Sequence, residues 1–103
     1  MKEQVLNAKS LIEYQKDSII SRMLINKESG TITLFAFDDK QKLSEHTAPF
    51  DALALILEGK AEISISGKKF KLSPGDFIIM PANKPHAVTA TKKFKMMLTM
   101  IKS

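Results

Sequence analysis

The chain has 103 residues, of which 44% are hydrophobic and 26% charged, and this composition predicts one globular domain that folds without a metal or a disulfide. Its net charge of +5 comes almost wholly from lysine, with Arg22 as the only arginine, so we expect no nucleic-acid partner. The absence of cysteine excludes thiolate metal sites, and no apolar run is long enough for a membrane helix, so we expect a cytoplasmic protein with no membrane partner.

Residues 1–15 are the least clear part of the chain. Their apolar residues fit a short helix and an added strand equally well, because the polar stretch 7–10 interrupts them. From residue 18 onward, short apolar and β-branched runs alternate with turn signals. The strands predicted from this pattern cover residues 19–25, 31–37, 50–57, 61–66, 69–72, 77–80, 86–91 and 94–101. Short strands at this spacing predict an antiparallel sandwich or barrel.

Residues 50–57 differ from an ordinary antiparallel strand because both of their alternating faces are apolar. A strand with one solvated face should alternate apolar with polar residues. Both faces must therefore be covered, by the N-terminal segment, by a second sheet or by another subunit, and a homodimer is the simplest account. We interpret Phe50 and Phe77 as barrel core, and Tyr14 as a partly buried anchor.

The two histidines carry the clearest functional signal. Each is placed at the start of an apolar run, and each has glycine or proline at a fixed distance. His46 precedes Gly59 by thirteen positions, and Gly75, Pro81 and His86 have the spacing Gly-x5-Pro-x4-His. Two imidazoles framed in this way would meet inside one small barrel.

Residues 46–59, which begin with His46, resemble the first motif of the cupin superfamily, and residues 75–86, which end with His86, resemble the second. The resemblance covers about residues 30–101. It implies an all-β fold, the double-stranded β-helix or jelly-roll barrel of the small RmlC-like cupins, which are often dimeric. Residues 1–103 would form a single domain with its core barrel at 30–101. Residues 1–15 would be an N-terminal segment that either stays on its own barrel or crosses to a partner at the dimer interface.

Metal-binding cupins take two histidines and a carboxylate from the first motif and one histidine from the second. His46 and His86 match the first and last of these ligands. Ala48 occupies the position of the second histidine, and Ala52 occupies that of the carboxylate. Asp51 would supply a third ligand only if a β-bulge re-aimed it, because it points away from the neighbouring positions in a regular strand.

We predict a pocket whose polar side is formed by His46 and His86 and whose other walls are formed by Ala48, Ala52 and Met80. The two alanine methyl groups leave space that either a ligand or an adaptable methionine side chain would fill.

Three interpretations of the histidine pair compete. In the first, both imidazoles hold a divalent ion of iron, manganese, nickel or zinc, with water, Asp51 or a bound ligand completing its shell. In the second, the imidazoles hydrogen-bond a small organic ligand without a metal. In the third, both are ordinary, partly buried residues of a barrel that has lost its chemistry.

The function predicted from the sequence is that of a small cupin that binds a small molecule, with or without a divalent metal, inside its β-barrel. One alternative is a metal-dependent enzyme of the dioxygenase, isomerase or decarboxylase type that acts on a small organic acid or sugar, which rests on fold analogy alone. A second alternative is a sensory or structural dimer with a vestigial site.

Overall fold

The computed structural model describes residues 2–102. It contains a short 3-10 helix at Ala8–Leu11 and seven strands. The strands are β1 (Ile19–Lys27), β2 (Gly30–Phe37), β3 (Lys42–His46), β4 (Asp51–Ile65), β5 (Lys68–Leu72), β6 (Phe77–Met80) and β7 (His86–Ile101). Every pairing between them is antiparallel, which confirms the predicted all-β class. Within residues 2–102, no helix has the length and apolar character needed to span a bilayer.

The strands form two walls because β4 and β7 are long enough to belong to both. The first wall consists, in spatial order, of β1, β2, residues 94–101 of β7, residues 51–56 of β4, and β6. The second wall consists of β3, residues 86–92 of β7, residues 60–65 of β4, and β5. The pairing of β4 with β7 is irregular between the two walls, where the chain bends.

Gly59 makes this bend possible. Its backbone adopts a φ of +83°, which residues with a side chain rarely adopt. A Cβ atom at this position would also collide with the carbonyl of Lys93 and with Phe94 on β7. Glycine therefore lets β4 continue as one strand while it passes from the first wall to the second.

The main core lies between the walls and is built from alternating residues of both. Phe37 and Phe94 stack at its centre, with ring centroids 4.6 Å apart. Ile63 on β4 and Leu72 on β5 point inward as predicted, and Ile65 and Phe70 pack against the same core. The alternation of residues 61–72 therefore gave the correct inner face of this hairpin.

A second, smaller core lies on the outer side of the first wall, under the N-terminal segment. Ile12 is only 4% exposed and packs with Leu34 and Ala36 of β2. Arg22 on β1 fixes the segment from the side, since its guanidinium donates to the carbonyl of Leu11 over 3.0 Å. The sequence left this region open between a helix and a strand. It is a single 3-10 turn followed by a stretch whose Ile12 packs against β2, and Met1 lies outside the described residues.

The structure corrects three details of the sequence prediction. Residues 50–57 and 61–66 are one continuous strand, and so are residues 86–91 and 94–101, because each pair remains bonded through the bend. The short strand β3 is an additional element. Phe77 is 59% exposed on the outer side of the first wall, so its assignment to the barrel core is wrong.

Candidate functional site

The two histidines meet at one end of the second wall. His46 is the last residue of β3 and His86 the first of β7, and the antiparallel register places them directly opposite each other. Their ring centroids are 4.3 Å apart and the ring planes are inclined at 67°. The sequence analysis placed His46 at the start of an apolar run, but in the structure it is the last residue of a strand. The chain leaves the sheet at 47–50, where Pro49 has no N–H to continue a ladder.

The two rings differ in their exposure to solvent. His86 is buried, with 7% of its surface exposed, whereas His46 is exposed. Burial lowers the pKa of the His86 imidazole below its ordinary value of 6.5; the hydrogen bond to the Lys84 carbonyl partly opposes this, and the neighbouring His46 lowers the pKa further. His86 is therefore held as a neutral imidazole at neutral pH.

Both rings make the same contact with the backbone two residues earlier. Nδ1 of His46 lies 2.8 Å from the carbonyl oxygen of Ser44, and Nδ1 of His86 lies 3.2 Å from that of Lys84. A carbonyl oxygen can only accept a hydrogen bond, so each Nδ1 carries the proton in these contacts. In the neutral rings Nε2 is then the nitrogen with the free lone pair. The same arrangement orients the histidines of metal sites, where the second ring nitrogen donates to a backbone carbonyl.

The part of the chain that the structure describes supplies no third side chain to complete this pair. Within residues 2–102, no group of three or more histidine, aspartate or glutamate side chains is arranged to hold a metal ion. Asp51 is engaged elsewhere, because its Oδ1 accepts a hydrogen bond of 2.8 Å from the backbone N–H of Ala82. Within residues 2–102, the residues around the histidine pair therefore do not supply the four-ligand site of the metal-binding cupins.

The other predicted pocket residues are packed in the core or half-buried. Ala52 and Met80 are paired across β4 and β6, and both are buried in the main core. Ala48 is half-buried, and its carbonyl accepts a hydrogen bond from the N–H of Asn83 over 2.7 Å. The presence of Met80 beside Ala52 is consistent with a methionine filling the space of a missing carboxylate. A role for these three residues in contacting a ligand stays a prediction.

The sequence analysis missed a polar cluster on the outer side of the barrel. The hydroxyl of Tyr14 donates to Oε2 of Glu58 over 2.6 Å, and Nζ of Lys95 lies 3.9 Å from the same oxygen. Lys93 and Lys95 also place their ammonium groups 5.0 and 5.1 Å from the centre of the Tyr14 ring. Burial, followed by the hydrogen bond to Glu58, raises the pKa of Tyr14 well above its ordinary value. The prediction of Tyr14 as a partly buried anchor is confirmed.

This cluster borders a concave surface of about 580 Å³. A second concavity, of about 540 Å³, lies between β5 and β6. Neither is lined by His46 or His86. The site that the sequence points to is therefore defined by two side chains at the end of a wall, and these two concavities lie elsewhere on the barrel.

Residues 29–102 match the family model described as the cupin domain. The chain belongs to the cupin superfamily. This confirms the resemblance drawn from the two motifs.

Two solved structures resemble this cupin over its whole length. It is 34% identical, with a TM-score of 0.95, to a conserved protein of unknown function from Streptococcus pyogenes, covering 100% of this chain and 90% of that one. It is also 34% identical, with a TM-score of 0.94, to a cupin superfamily protein from Desulfitobacterium hafniense, covering 100% and 94% of the two chains. These matches confirm the predicted cupin barrel.

A third similar structure is a cupin 2 conserved barrel domain protein from Leptotrichia buccalis, which is 37% identical with a TM-score of 0.91. The match covers 94% of this chain but 47% of that one. No curated protein sequence matches the chain.

Proposed function

We propose that this cupin binds a small molecule through a divalent transition-metal ion held by His46 and His86. The observation that carries the proposal is the pair of rings 4.3 Å apart whose Nδ1 atoms both face backbone carbonyls. In two neutral rings, this contact leaves Nε2 as the nitrogen that can bind a metal ion. Neutral imidazole nitrogen is the ligand that zinc, nickel and iron share.

The same contacts argue against direct binding of an anion. An anionic ligand needs hydrogen-bond donors, and the Nδ1 protons of both rings are already used by the carbonyls of Ser44 and Lys84. The low pKa of His86 disfavours a second proton on its ring. A cation that accepts two lone pairs therefore suits the pair better than a carboxylate or phosphate alone.

Two protein ligands leave the remaining coordination positions to molecules from outside the chain. A bound ion would act as a Lewis acid and would anchor oxygen donors of a small molecule. We expect weak binding of the metal alone and tighter binding when a chelating small molecule supplies further ligands. His46, the exposed member, lies on the side from which such a molecule would enter, and His86 fixes the ion from the buried side.

The test is calorimetric titration of tag-free protein with Ni²⁺, Zn²⁺, Fe²⁺ and Mn²⁺. We expect one ion per chain, with Ni²⁺ and Zn²⁺ bound more tightly than Fe²⁺ and Mn²⁺, following the general preference of imidazole sites. His46→Ala should abolish the binding without harming the fold, because its ring is exposed. His86→Ala should abolish it as well.

Asp51→Asn is the matched control. Asparagine keeps an oxygen that can accept from the Ala82 N–H and removes only the charge, so metal affinity should not change. A wild-type protein that binds none of the four ions, or binding that survives in both histidine variants, would refute the proposed metal role of the pair.

A further inference from the structure

A small concavity of about 250 Å³ lies at the opposite end of the second wall from the two histidines. It is lined by Lys60, Ala61, Lys71, Leu72, Ser73 and Thr91. Ala61 is paired with Ala90 of β7. His86 is paired with Ile65, four residues further along β4. At about 3.4 Å per residue, the concavity is roughly 14 Å along the strand from the histidine pair. We call it the bend pocket, because it adjoins the bend between the two walls.

Lys60 differs from the other lysines in how its ammonium group is held. Its Nζ donates to Oγ of Ser73 over 2.9 Å. Among the lysines of residues 2–102, Lys95 is the only other whose ammonium makes a hydrogen bond, and it also lies 3.9 Å from the carboxylate of Glu58. No carboxylate within the described range forms an ion pair with Lys60. Its ammonium is therefore fixed in position and keeps its full charge.

The polar side chains of the bend pocket offer hydrogen-bond donors to a ligand. A lysine ammonium has three N–H groups, and Ser73 uses one of those of Lys60. The Ser73 hydroxyl accepts this bond and so keeps its own proton for a further partner. Lys71 adds a second positive charge; Glu62 lies opposite it in the sheet, yet within residues 2–102 the two form no ion pair. Donors and positive charge without a lining carboxylate suit an anion.

Backbone contacts hold the two sides of the bend pocket in position. The N–H of Ser73 donates to the Asp76 carboxylate over 2.8 Å, in the turn that follows β5. The hydroxyl of Thr91 donates to the carbonyl of Lys60 over 3.1 Å, which links β7 to β4 where their pairing is irregular. The donors of Lys60 and Ser73 therefore project from backbone that is ordered before a ligand binds, which lowers the entropic cost of binding.

The concavity of about 580 Å³ beside the Tyr14 cluster adjoins the bend pocket, because Thr91 lines both. It is lined by three further lysines, Lys40, Lys92 and Lys93. Its two acidic residues, Asp39 and Glu58, already accept hydrogen bonds from other groups of the chain. Clustered charge of one sign raises the local concentration of a ligand of the opposite sign.

We infer that the bend pocket binds the phosphate group of a small molecule. Lys60 and Lys71 supply the positive charge, and the Lys60 ammonium and the Ser73 hydroxyl donate to the phosphate oxygens. A phosphate group suits the pocket better than a carboxylate, because it carries between one and two negative charges at neutral pH and has three acceptor oxygens. The volume is too small to enclose a drug-sized molecule, so the rest of a phosphate ester would extend towards the larger concavity.

The test is a titration of the isotope-labelled full chain with inorganic phosphate, followed by its amide NMR resonances at neutral pH and constant ionic strength. We expect saturable shifts at Lys60, Ser73 and Thr91 and none at His86, which lies at the other end of the wall. Lys60→Gln should weaken binding at least about tenfold, since it removes the fixed charge. Ser73→Ala should weaken it about fivefold, the usual effect of one lost hydrogen bond.

Lys69→Gln is the matched control, because it removes the same charge from an exposed position on β5 outside the pocket. It should change the affinity less than about twofold. Glycerol phosphate is the second probe. Tighter binding than that of inorganic phosphate would identify a phosphorylated metabolite as the ligand, and equal or weaker binding would identify free phosphate.

The absence of a saturable shift with both probes would overturn the inference. A Lys69→Gln variant that binds as weakly as Lys60→Gln would overturn it too, because diffuse surface charge would then account for the binding.

Discussion

The outer sides of the two walls differ although both belong to the same pair of long strands. Along β4, residues 53–57 present leucines to the outside of the first wall, whereas Glu62 and Ser64 face outward from the second. The first outer side is partly covered by the N-terminal segment, and the second is covered by nothing in residues 2–102. The composition of a strand face therefore follows what packs on it.

The largest loss of stability is expected where the N-terminal segment packs on the outer side of the first wall. Ile12→Ala removes a side chain that is buried between the N-terminal segment and β2. It should lower the free energy of unfolding by about 2–4 kcal/mol, the usual cost of truncating a buried isoleucine.

Urea unfolding followed by circular dichroism measures this loss, and Ser64→Ala on the solvated outer side of the second wall is the control. That control should stay within about 0.5 kcal/mol of the wild type. Equal effects of the two substitutions would mean that the N-terminal segment does not pack on the barrel in solution.

A smaller effect is expected at the end of the covered region, where Tyr14 donates to Glu58. Tyr14→Phe keeps the ring beneath Lys93 and Lys95 and removes only the hydroxyl. The loss should be about 1 kcal/mol, typical of one partly buried hydrogen bond.

Glu58→Gln should cost less than Tyr14→Phe, because the amide oxygen of glutamine still accepts the hydroxyl. The reverse order in urea unfolding would show that the charge of Glu58, and its ion pair with Lys95, matters more than the hydrogen bond.

The smallest expected effect is a pH dependence of the free energy of unfolding. It arises from His86, at the end of the second wall where the two histidines meet. The pKa of His86 in the folded chain lies below the ordinary 6.5, so the unfolded chain binds more protons as the pH falls below that value. Stability is therefore full above pH 6.5 and falls on acidification, until the folded-state pKa is reached. The hydrogen bond to Lys84 opposes the effect of burial and keeps the loss small.

Metal-free protein, unfolded with urea at a series of pH values, tests this dependence. His86→Asn should flatten the pH dependence of the free energy of unfolding just below pH 6.5. An unchanged slope in that variant would place the titrating group elsewhere.

The sequence predicts those features of the site that depend on local motifs, and it does not predict those that depend on contacts between distant residues. The Gly-x5-Pro-x4-His spacing identified His86, and the cupin motifs placed His46 opposite it. The contacts of both Nδ1 atoms with backbone carbonyls could not be predicted, because one depends on the irregular end of β3 and the other on the loop before β7. Asp51 was a candidate ligand until the structure showed its carboxylate bound to the N–H of Ala82, thirty-one residues away.

Local alternation determined the β class, most strand positions and the inward face of residues 61–72, because side chains on successive strand residues point to opposite sides. It failed at 77–80, where every residue is apolar and neither face is marked, so Phe77 was assigned to the wrong side. Tertiary structure alone decided that β4 and β7 each run through both walls and that Ile12 packs against β2. These features depend on register between residues far apart in the chain, which no local pattern records.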